Sequence, residues 1–378
     1  MKKKKVIVAM SGGVDSSVAA ALLMEKGFDV VGVSMRLWDY SASEEGGSTE
    51  GSCCSLEDVY DARRVCNALS IPFYVMNMEE AFSREVVEYF VKSYVAGETP
   101  NPCVKCNEVM KFDLLLRKAV ELEADYLATG HYARIRRDDD GAYSLLKGVD
   151  AGKDQSYFLF TMTQGQLGKI LFPVGELTKE EVRRRAKGFG LAIAEKKESQ
   201  EICFVGDNDY AGFVFERTGP SASLGTGSGK GDMVTSGGEV IGTHNGLFRY
   251  TVGQRKGLDV KDGSGPYYVL GIDVRGNRLM VGREDELYSS GLLARSVNWI
   301  KKPPSEGQDV SVKIRYRHQG VSAKVKPSEG KSVEVVFGSP QKAVAPGQAV
   351  VFYDGEVVLG GGWITKALRQ GVGFHEKG

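Results

Sequence analysis

At 378 residues and 41.1 kDa, with 42% hydrophobic and 26% charged residues, the chain is long enough for two or three domains, each with a core of its own. No apolar run approaches the ~20 residues of a membrane span, and the basic start Met1-Lys-Lys-Lys-Lys-Val precedes an apolar run too short for a signal peptide, so a cytoplasmic location and no membrane partner are expected. Forty-nine basic residues cancel forty-nine acidic ones, which excludes a global electrostatic pull toward nucleic acid; the basic runs at Arg183–Arg185, Lys196–Lys197, Lys301–Lys302 and Lys313, Arg315, Arg317 permit an RNA partner without requiring one.

Short apolar runs alternate with helical periods from the start of the chain. A strand is expected over Val6–Met10, a helix over Val14–Lys26, a strand over Val30–Met35, a helix over Leu56–Leu69, and strands over Phe73–Met76 and Tyr126–Thr129. Such β-α-β-α-β order, with nearly continuous apolar strands, implies an α/β domain whose parallel sheet is covered on both faces and binds ligands at the strands' carboxyl ends. Residues 38–55 are too long and too polar for an ordinary connection and are expected to form a mobile active-site loop.

Between the first strand and helix lies Ser11-Gly-Gly-Val-Asp-Ser-Ser17. Gly12 and Gly13 allow positive φ and leave backbone N–H groups uncovered, the following helix turns its positive end toward an anion, and Ser11, Ser16 and Ser17 add hydroxyls. Asp15 would repel bare phosphate, so it is a candidate ligand for the Mg²⁺ that accompanies a nucleotide. The bland alternative is a tight strand-to-helix turn with a serine cap. Neither the dinucleotide fingerprint nor the Walker lysine fits; the segment resembles the PP-loop of ATP pyrophosphatases, which split ATP between its α and β phosphates and leave AMP on a substrate oxygen. The downstream stretch Gly225-Thr-Gly-Ser-Gly-Lys-Gly231 lacks the Walker first glycine and final Ser/Thr and reads as a flexible loop.

Six cysteines, at 53, 54, 66, 103, 106 and 203, sit in a chain too large to need disulfide staples. Cys66, in an apolar helical pattern, reads as a small core residue, and Cys53 and Cys54 carry no interpretation alone. Cys103 and Cys106 form a C-x-x-C in Thr99-Pro-Asn-Pro-Cys-Val-Lys-Cys-Asn107, and Cys203 sits in Glu198-Ser-Gln-Glu-Ile-Cys-Phe-Val205. From about residue 219 the composition shifts to Gly, Ser and short alternating strands; Val310–Tyr316, Val333–Phe337 and Ala349–Tyr353 suit an antiparallel barrel or sandwich.

These stretches, with SGGVDSSVAA, ATGHYA, KDQSYFL, YTVGQRKGL and RYRH, resemble the bacterial tRNA-specific 2-thiouridylases (MnmA/TrmU) over essentially the whole chain. The resemblance implies a PP-loop (adenine nucleotide alpha hydrolase-like) domain over 1–205, a small central domain over 206–286 and a tRNA-contacting C-terminal antiparallel β-barrel over 287–378. It implies that ATP adenylates the C2 oxygen of a tRNA wobble uridine and that sulfur displaces AMP. By position, ATP would be held by Ala9, Met10, Ser11, Gly12, Gly13, Val14, Asp15, Ser16, Met35 and Gly130, while His131 is structural. Cys106 matches the nucleophile and Cys203 the persulfide carrier, and the two would close into a disulfide after transfer. Asn101, Pro102 and Cys103 align with a segment contacting the target base, Lys153, Asp154 and Gln155 with a tRNA-contacting segment, and Arg315 and Tyr316 with a contact from the barrel. A sulfur-donor protein, a cysteine desulfurase or relay protein, is the further partner implied.

The sulfur chemistry needs thiolates, so a nearby cation is expected; Lys105, Lys196 and Lys197 are the candidates, set against plain surface lysines. Many family members carry aspartate where Cys103 stands. One alternative is therefore that Cys103, Cys106 and Cys203 hold a [4Fe-4S] cluster with an open iron that delivers sulfur. Two readings from other classes remain: a PP-loop ligase acting on a small metabolite, and a nonenzymatic RNA-binding protein on a nucleotide fold.

Overall fold

Residues 3–38, 56–196, 202–206, 209–218, 229–260, 265–305 and 307–369 are described by a computed structural model of the chain. The expected loop at 38–55 lies outside them save for Trp38, as do Cys53, Cys54, Lys197 and residues 225–228 of the glycine-rich stretch. The chain divides into two compact units. One comprises Met1–Val87, Pro102–Asn208 and Glu356–Val358; the other comprises Glu88–Asn101, Asp209–Gly355 and Leu359–Gly378.

In the first unit the apolar run Val6-Ile-Val becomes β1 (Lys5–Ala9), followed by α1 (Val14–Glu25), β2 (Asp29–Arg36), α2 (Leu56–Ala68), β3 (Phe73–Asn77) and β4 (Tyr126–Ala128), each within one residue of the sequence expectation at either end. A hairpin of β5 (Ala133–Arg137) and β6 (Tyr143–Lys147) precedes the two-residue β7 (Ile170–Leu171). The sheet order is β3-β2-β1-β4-β7, with every neighbouring pair parallel. Val6 faces Val30 on one side and Tyr126 on the other. β1 and the interior of β2 are largely apolar because both faces are covered, Val6, Val8 and Val30 packing with Val18, Ala19 and Ala20 of α1 and with Ala62 and Val65 of α2, whereas the edge strand β3 leaves Tyr74 and Val75 exposed. Strand order reverses at β1, so the crevice beyond the carboxyl ends of β1 and β4 is the topological switch point where such sheets bind ligands. Ser11–Ser17 leaves β1 there, and Gly130 follows β4 there.

The second unit holds two sheets. β8 (Lys230–Val234), β9 (Val240–Asn245), β10 (Tyr268–Asp273) and β11 (Arg278–Gly282) form a four-stranded sheet of order β10-β11-β8-β9. Lys230 and Gly231, expected in a flexible loop, begin β8, because Gly231 lets the strand pass the Asn277 carbonyl and the His244 ring with no room for a Cβ. The remaining strands are β12 (Tyr288–Trp299), β13 (Asp309–Lys313), β14 (Val321–Ser328), β15 (Ser332–Lys342), β16 (Ala349–Asp354) and β17 (Val357–Leu368), of which Val357 and Val358 are counted with the first unit. They run β12-β15-β14-β13-β16-β17, and antiparallel pairing of β12 with β17, from Gly291–Leu368 to Trp299–Gly360, closes a six-stranded barrel rather than a sandwich. The alternation in Val333-Glu-Val-Val-Phe337 places Val333, Val335 and Phe337 in the barrel core. Here β13 ends at Lys313, so Arg315 and Tyr316 occupy the turn after it and not the strand the sequence suggested.

Candidate active site

The Ser11–Ser17 turn is shaped by a contact the sequence does not announce. Gly12 has φ +72°, and a Cβ on it would lie 2.3 Å from the Asp58 carbonyl oxygen, so the first turn of α2 is seated against the loop backbone. Gly13 is instead extended, at φ −94° and ψ 165°, and serves as the N-cap of α1. Among the described residues no side chain caps that helix. The serine hydroxyls turn back instead: Ser16 and Ser17 each donate to the Gly13 carbonyl at 3.1 and 2.9 Å, and Ser16 Oγ accepts from the Ser11 N–H at 3.2 Å. A serine cap is thus ruled out, and among the described residues the first-turn N–H groups of a twelve-residue helix meet no side-chain acceptor, the condition for receiving an anion. Met10 is buried, with its carbonyl accepting from Ser34 Oγ at 2.6 Å, and Met35 is buried in register with Met76. Ala9 ends β1 and Val14, buried, opens α1. Gly130 is a close-approach residue, since a Cβ there would stand 2.6 Å from the Ser16 nitrogen.

Asp15 does not stand free. Its carboxylate receives the Lys179 ammonium on both oxygens at 2.8 Å and the Tyr132 hydroxyl at 2.7 Å. One carboxylate already facing an ammonium is a poor Mg²⁺ ligand, so the donor set here does not fit a metal held by Asp15 as arranged. Lys196 likewise differs from expectation. Its ammonium lies 2.8 Å from Asp58 and 2.5 Å from Asp61, and 3.4 Å from the Gly12 carbonyl, with Arg64 also on Asp61. Burial alone would push the Lys196 pKa down and that of Asp61 up; the mutual hydrogen bonds and charges outweigh it, raising the ammonium and lowering the Asp61 carboxyl. Lys196 is therefore neither a plain surface lysine nor a spare cation for a thiolate; it clamps α2 to the Ser11–Ser17 loop. Arg183, from the basic run, holds the same stretch through the carbonyls of Ala194 and Lys196 at 2.6 and 3.1 Å. Lys105 is paired with Glu108 at 3.0 Å.

Cys103 is exposed, Cys106 and Cys203 are half-buried, and Cys66 is buried, its thiol pushed up to about 11 by desolvation. Pro102 opens the helix that carries Cys103, a favourable first position for proline, and at Cys106 the helix widens into a π-helical stretch through Leu115. That helix packs against Ser83–Val87, while Phe204, next to Cys203, packs edge-to-face on Phe82 with ring centroids 5.5 Å apart and also meets Trp38 at 6.2 Å. Both cysteine segments thus approach one short element, Phe82–Val87, after β3. Among the described residues no three His, Cys, Asp or Glu side chains converge as a metal site requires, so Cys103, Cys106 and Cys203 do not form a cradle for a [4Fe-4S] cluster in this arrangement.

Of the expected RNA-contacting residues, Asn101 and Pro102 are buried, and Lys153 and Gln155 are half-buried. Asp154 is turned inward, its Oδ1 accepting from the N–H groups of Gly148 and Ser156 at 3.2 and 3.1 Å, so it shapes the segment from within. In the other unit Arg315 is exposed and donates to the Lys342 carbonyl at 3.2 Å, beside half-buried Tyr316. His131 is held by Thr129 at 2.7 Å and ringed by Phe112 and Phe172; burial, with Lys111 nearby, lowers its pKa well below the ordinary value and keeps it neutral, in line with a structural role. Tyr132, Lys179, Asp58 and Asp61 escaped the sequence reading. One signal existed: a lysine in the first turn of the helix Lys179–Gly188 opposes the helix dipole and calls for a nearby carboxylate.

Residues 4–207 match the family described as tRNA methyl transferase HUP domain, residues 224–283 the tRNA methyl transferase PRC-barrel domain, and residues 289–364 the aminomethyltransferase beta-barrel domain. The tRNA-specific 2-thiouridylase MnmA of Geotalea uraniireducens is 54% identical over 369 residues, covering 97% of this chain and 96% of that protein. The protein of the same name from Geobacter metallireducens is 53% identical over 370 residues, covering 98% and 99%, and that of Magnetococcus marinus is 49% identical over 363 residues, covering 96% and 99%.

Proposed function

We infer the chemistry from one premise: the chain belongs to the tRNA-specific 2-thiouridylase family. It is a tRNA sulfurtransferase, and it forms 2-thiouridine in transfer RNA. For the mechanism, we propose that ATP is the activator and lies on Ala9–Ser17, Met35 and Gly130. The wobble uridine approaches through Asn101, Pro102 and Cys103, with Lys153, Asp154, Gln155, Arg315 and Tyr316 as further tRNA contacts. The domain limits proposed for these roles are 1–205, 206–286 and 287–378.

A uridine carbonyl is a weak electrophile with no leaving group. In the first step its C2 oxygen attacks the α-phosphorus, a P–O bond forms, and pyrophosphate departs with the electron pair of the broken Pα–O bond. The terminal sulfur of a Cys203 persulfide, deprotonated, then attacks C2, and AMP leaves with the former C2–O electrons. Last, the Cys106 thiolate attacks Cys203 Sγ, the S–S bond to the transferred sulfur breaks, and its electron pair remains on that sulfur as the thione. Cys106 and Cys203 are left as a disulfide, which a thiol reductant reopens before a cytoplasmic sulfur-donor protein reloads Cys203. The open N-terminus of α1 behind the Gly12 turn carries this reading, because it provides N–H groups for the phosphates at the switch point of the sheet. The approach of both cysteine segments to Phe82–Val87 supports a joint role for Cys106 and Cys203.

The two halves of the reaction separate in one variant. Cys203→Ser is expected to release pyrophosphate from ATP in the presence of unmodified tRNA while forming no 2-thiouridine. Thiolated tRNA from that variant would sink the relay, and absence of pyrophosphate release from the wild type would sink the adenylation step.

A further inference from the structure

The segment Asp150–Gln155 is tied to the nucleotide loop at two points, and both ties end on the same carboxylate. At one end, Tyr132 and Gln155 are bonded twice: the Tyr132 N–H donates to Gln155 Oε1 at 3.0 Å and the Gln155 N–H donates to the Tyr132 carbonyl at 2.9 Å. The Tyr132 hydroxyl then reaches Asp15. At the other end, Asp150 accepts the Lys179 N–H at 2.9 Å, and its remaining carboxylate oxygen and carbonyl accept from the N–H groups of Gly152 and Lys153, each at 3.0 Å. The Lys179 ammonium then reaches Asp15 on both oxygens and lies 5.8 Å over the Tyr132 ring.

We propose that Tyr132 and Lys179 are positioning residues that join the nucleotide loop to the Asp150–Gln155 segment, so that RNA held on that segment sets the posture of Asp15 and with it the affinity for ATP. The inference rests on the proposed ATP and tRNA sites. Asp15 lies in the first turn of α1, where the phosphates are received, and it is joined to residues 117 and 164 positions away. The Tyr132 side chain is buried, so its hydroxyl has no freedom to follow the RNA segment without moving the bond to Asp15. Lys179 is held in the first turn of its own helix by the Thr178–Glu181 capping box, which fixes where the ammonium sits. A partly buried ion pair is a weak device for stability alone, whereas two donors converging on one acceptor from both ends of a short segment transmit a displacement of that segment. Coupling of this kind is reciprocal: if tRNA tightens ATP, ATP tightens tRNA by the same factor.

The test measures binding of α,β-methylene-ATP, which is not cleaved, with and without an unmodified tRNA transcript that has uridine at the wobble position. Wild type is expected to bind the analogue at least ~5-fold more tightly with tRNA present. Tyr132→Phe, which keeps the buried ring and removes only the hydroxyl, is expected to bring that ratio to within about twofold of one. Lys179→Met is expected to do the same; because it removes the charge facing Asp15 and risks misfolding, Tyr132→Phe decides the matter. A merely structural Tyr132 would leave the ratio as in wild type, and that result overturns the inference, as does a wild-type ratio of one. If the wild type fails to bind the analogue, or if Gly12→Ala binds it as well as wild type does, the nucleotide-site reading falls and takes the inference with it.

Discussion

Replacing Lys196 with methionine takes the shared ammonium from two carboxylates that are 11% and 10% exposed and removes the cation that holds them to the Gly12 carbonyl. Breaking a buried pair from one side costs ~3–5 kcal/mol. Arg64 stays on Asp61 at 2.5 Å, and Lys196 is itself 30% exposed, so the lower end, about 3 kcal/mol, is expected. For a unit of this size 1 kcal/mol corresponds to ~2–4 °C, which puts the loss at about 6–12 °C in Tm near pH 7. The sign with pH follows from the directions of the shifts. The Asp61 pKa is lowered in the folded state, so its contribution is present above the unfolded value of ~3.9 and is lost as pH falls through the folded one; the Lys196 pKa is raised, so its contribution is present below ~10.4 and is lost as pH rises through the folded value. Thermal unfolding followed by circular dichroism should show a gap between wild type and Lys196→Met that is level from about pH 5 to 9 and narrows by about pH 3. Coincident midpoints at pH 7, or a gap that persists undiminished in acid, would refute the clamp.

Gly12→Ala forces a left-handed backbone onto a residue with a Cβ, at ~1–2 kcal/mol, and drives that Cβ into the Asp58 carbonyl; nucleotide affinity is expected to drop by at least ~10-fold, which equilibrium dialysis with the ATP analogue would detect. Cys66, with its thiol raised to about 11, has roughly one thiolate in a thousand at pH 8, so brief alkylation of the native protein should modify Cys103 and spare Cys66; mass spectrometry showing Cys66 labelled first would count against the buried assignment. Cys103→Asp, at an exposed position, is expected to retain 2-thiouridine formation within ~10-fold of wild type, and loss comparable to that of Cys203→Ser would mean that the Cys103 thiol itself takes part.

The strands and helices around the Ser11–Ser17 loop were legible because burial on both faces of a parallel sheet leaves continuous apolar runs, such as Val6-Ile-Val, next to a helix of Ala and Leu. The positive φ at Gly12 was likewise within reach of its residue type, although Gly13 took an extended cap instead. What stayed hidden lies in pairings with no local period. Asp15 meets Tyr132 and Lys179, and Lys196 meets Asp58 and Asp61 across 138 and 135 positions, distances over which neither propensity nor periodicity speaks. The same holds for the end of β13: Ile314-Arg-Tyr316 continues the alternating pattern of a strand, but the chain turns after Lys313. The widening of the helix at Cys106 has no residue signature either, and it sets where the Cys106 side chain emerges.

The most direct test uses the purified chain with ATP, an unmodified tRNA transcript and a persulfide donor, followed by nucleoside mass spectrometry and a parallel measure of pyrophosphate. The expected result is 2-thiouridine at the wobble position with one AMP and one pyrophosphate per sulfur placed; thiolation without ATP cleavage, or ATP cleavage that leaves every uridine oxygen in place, would contradict the mechanism.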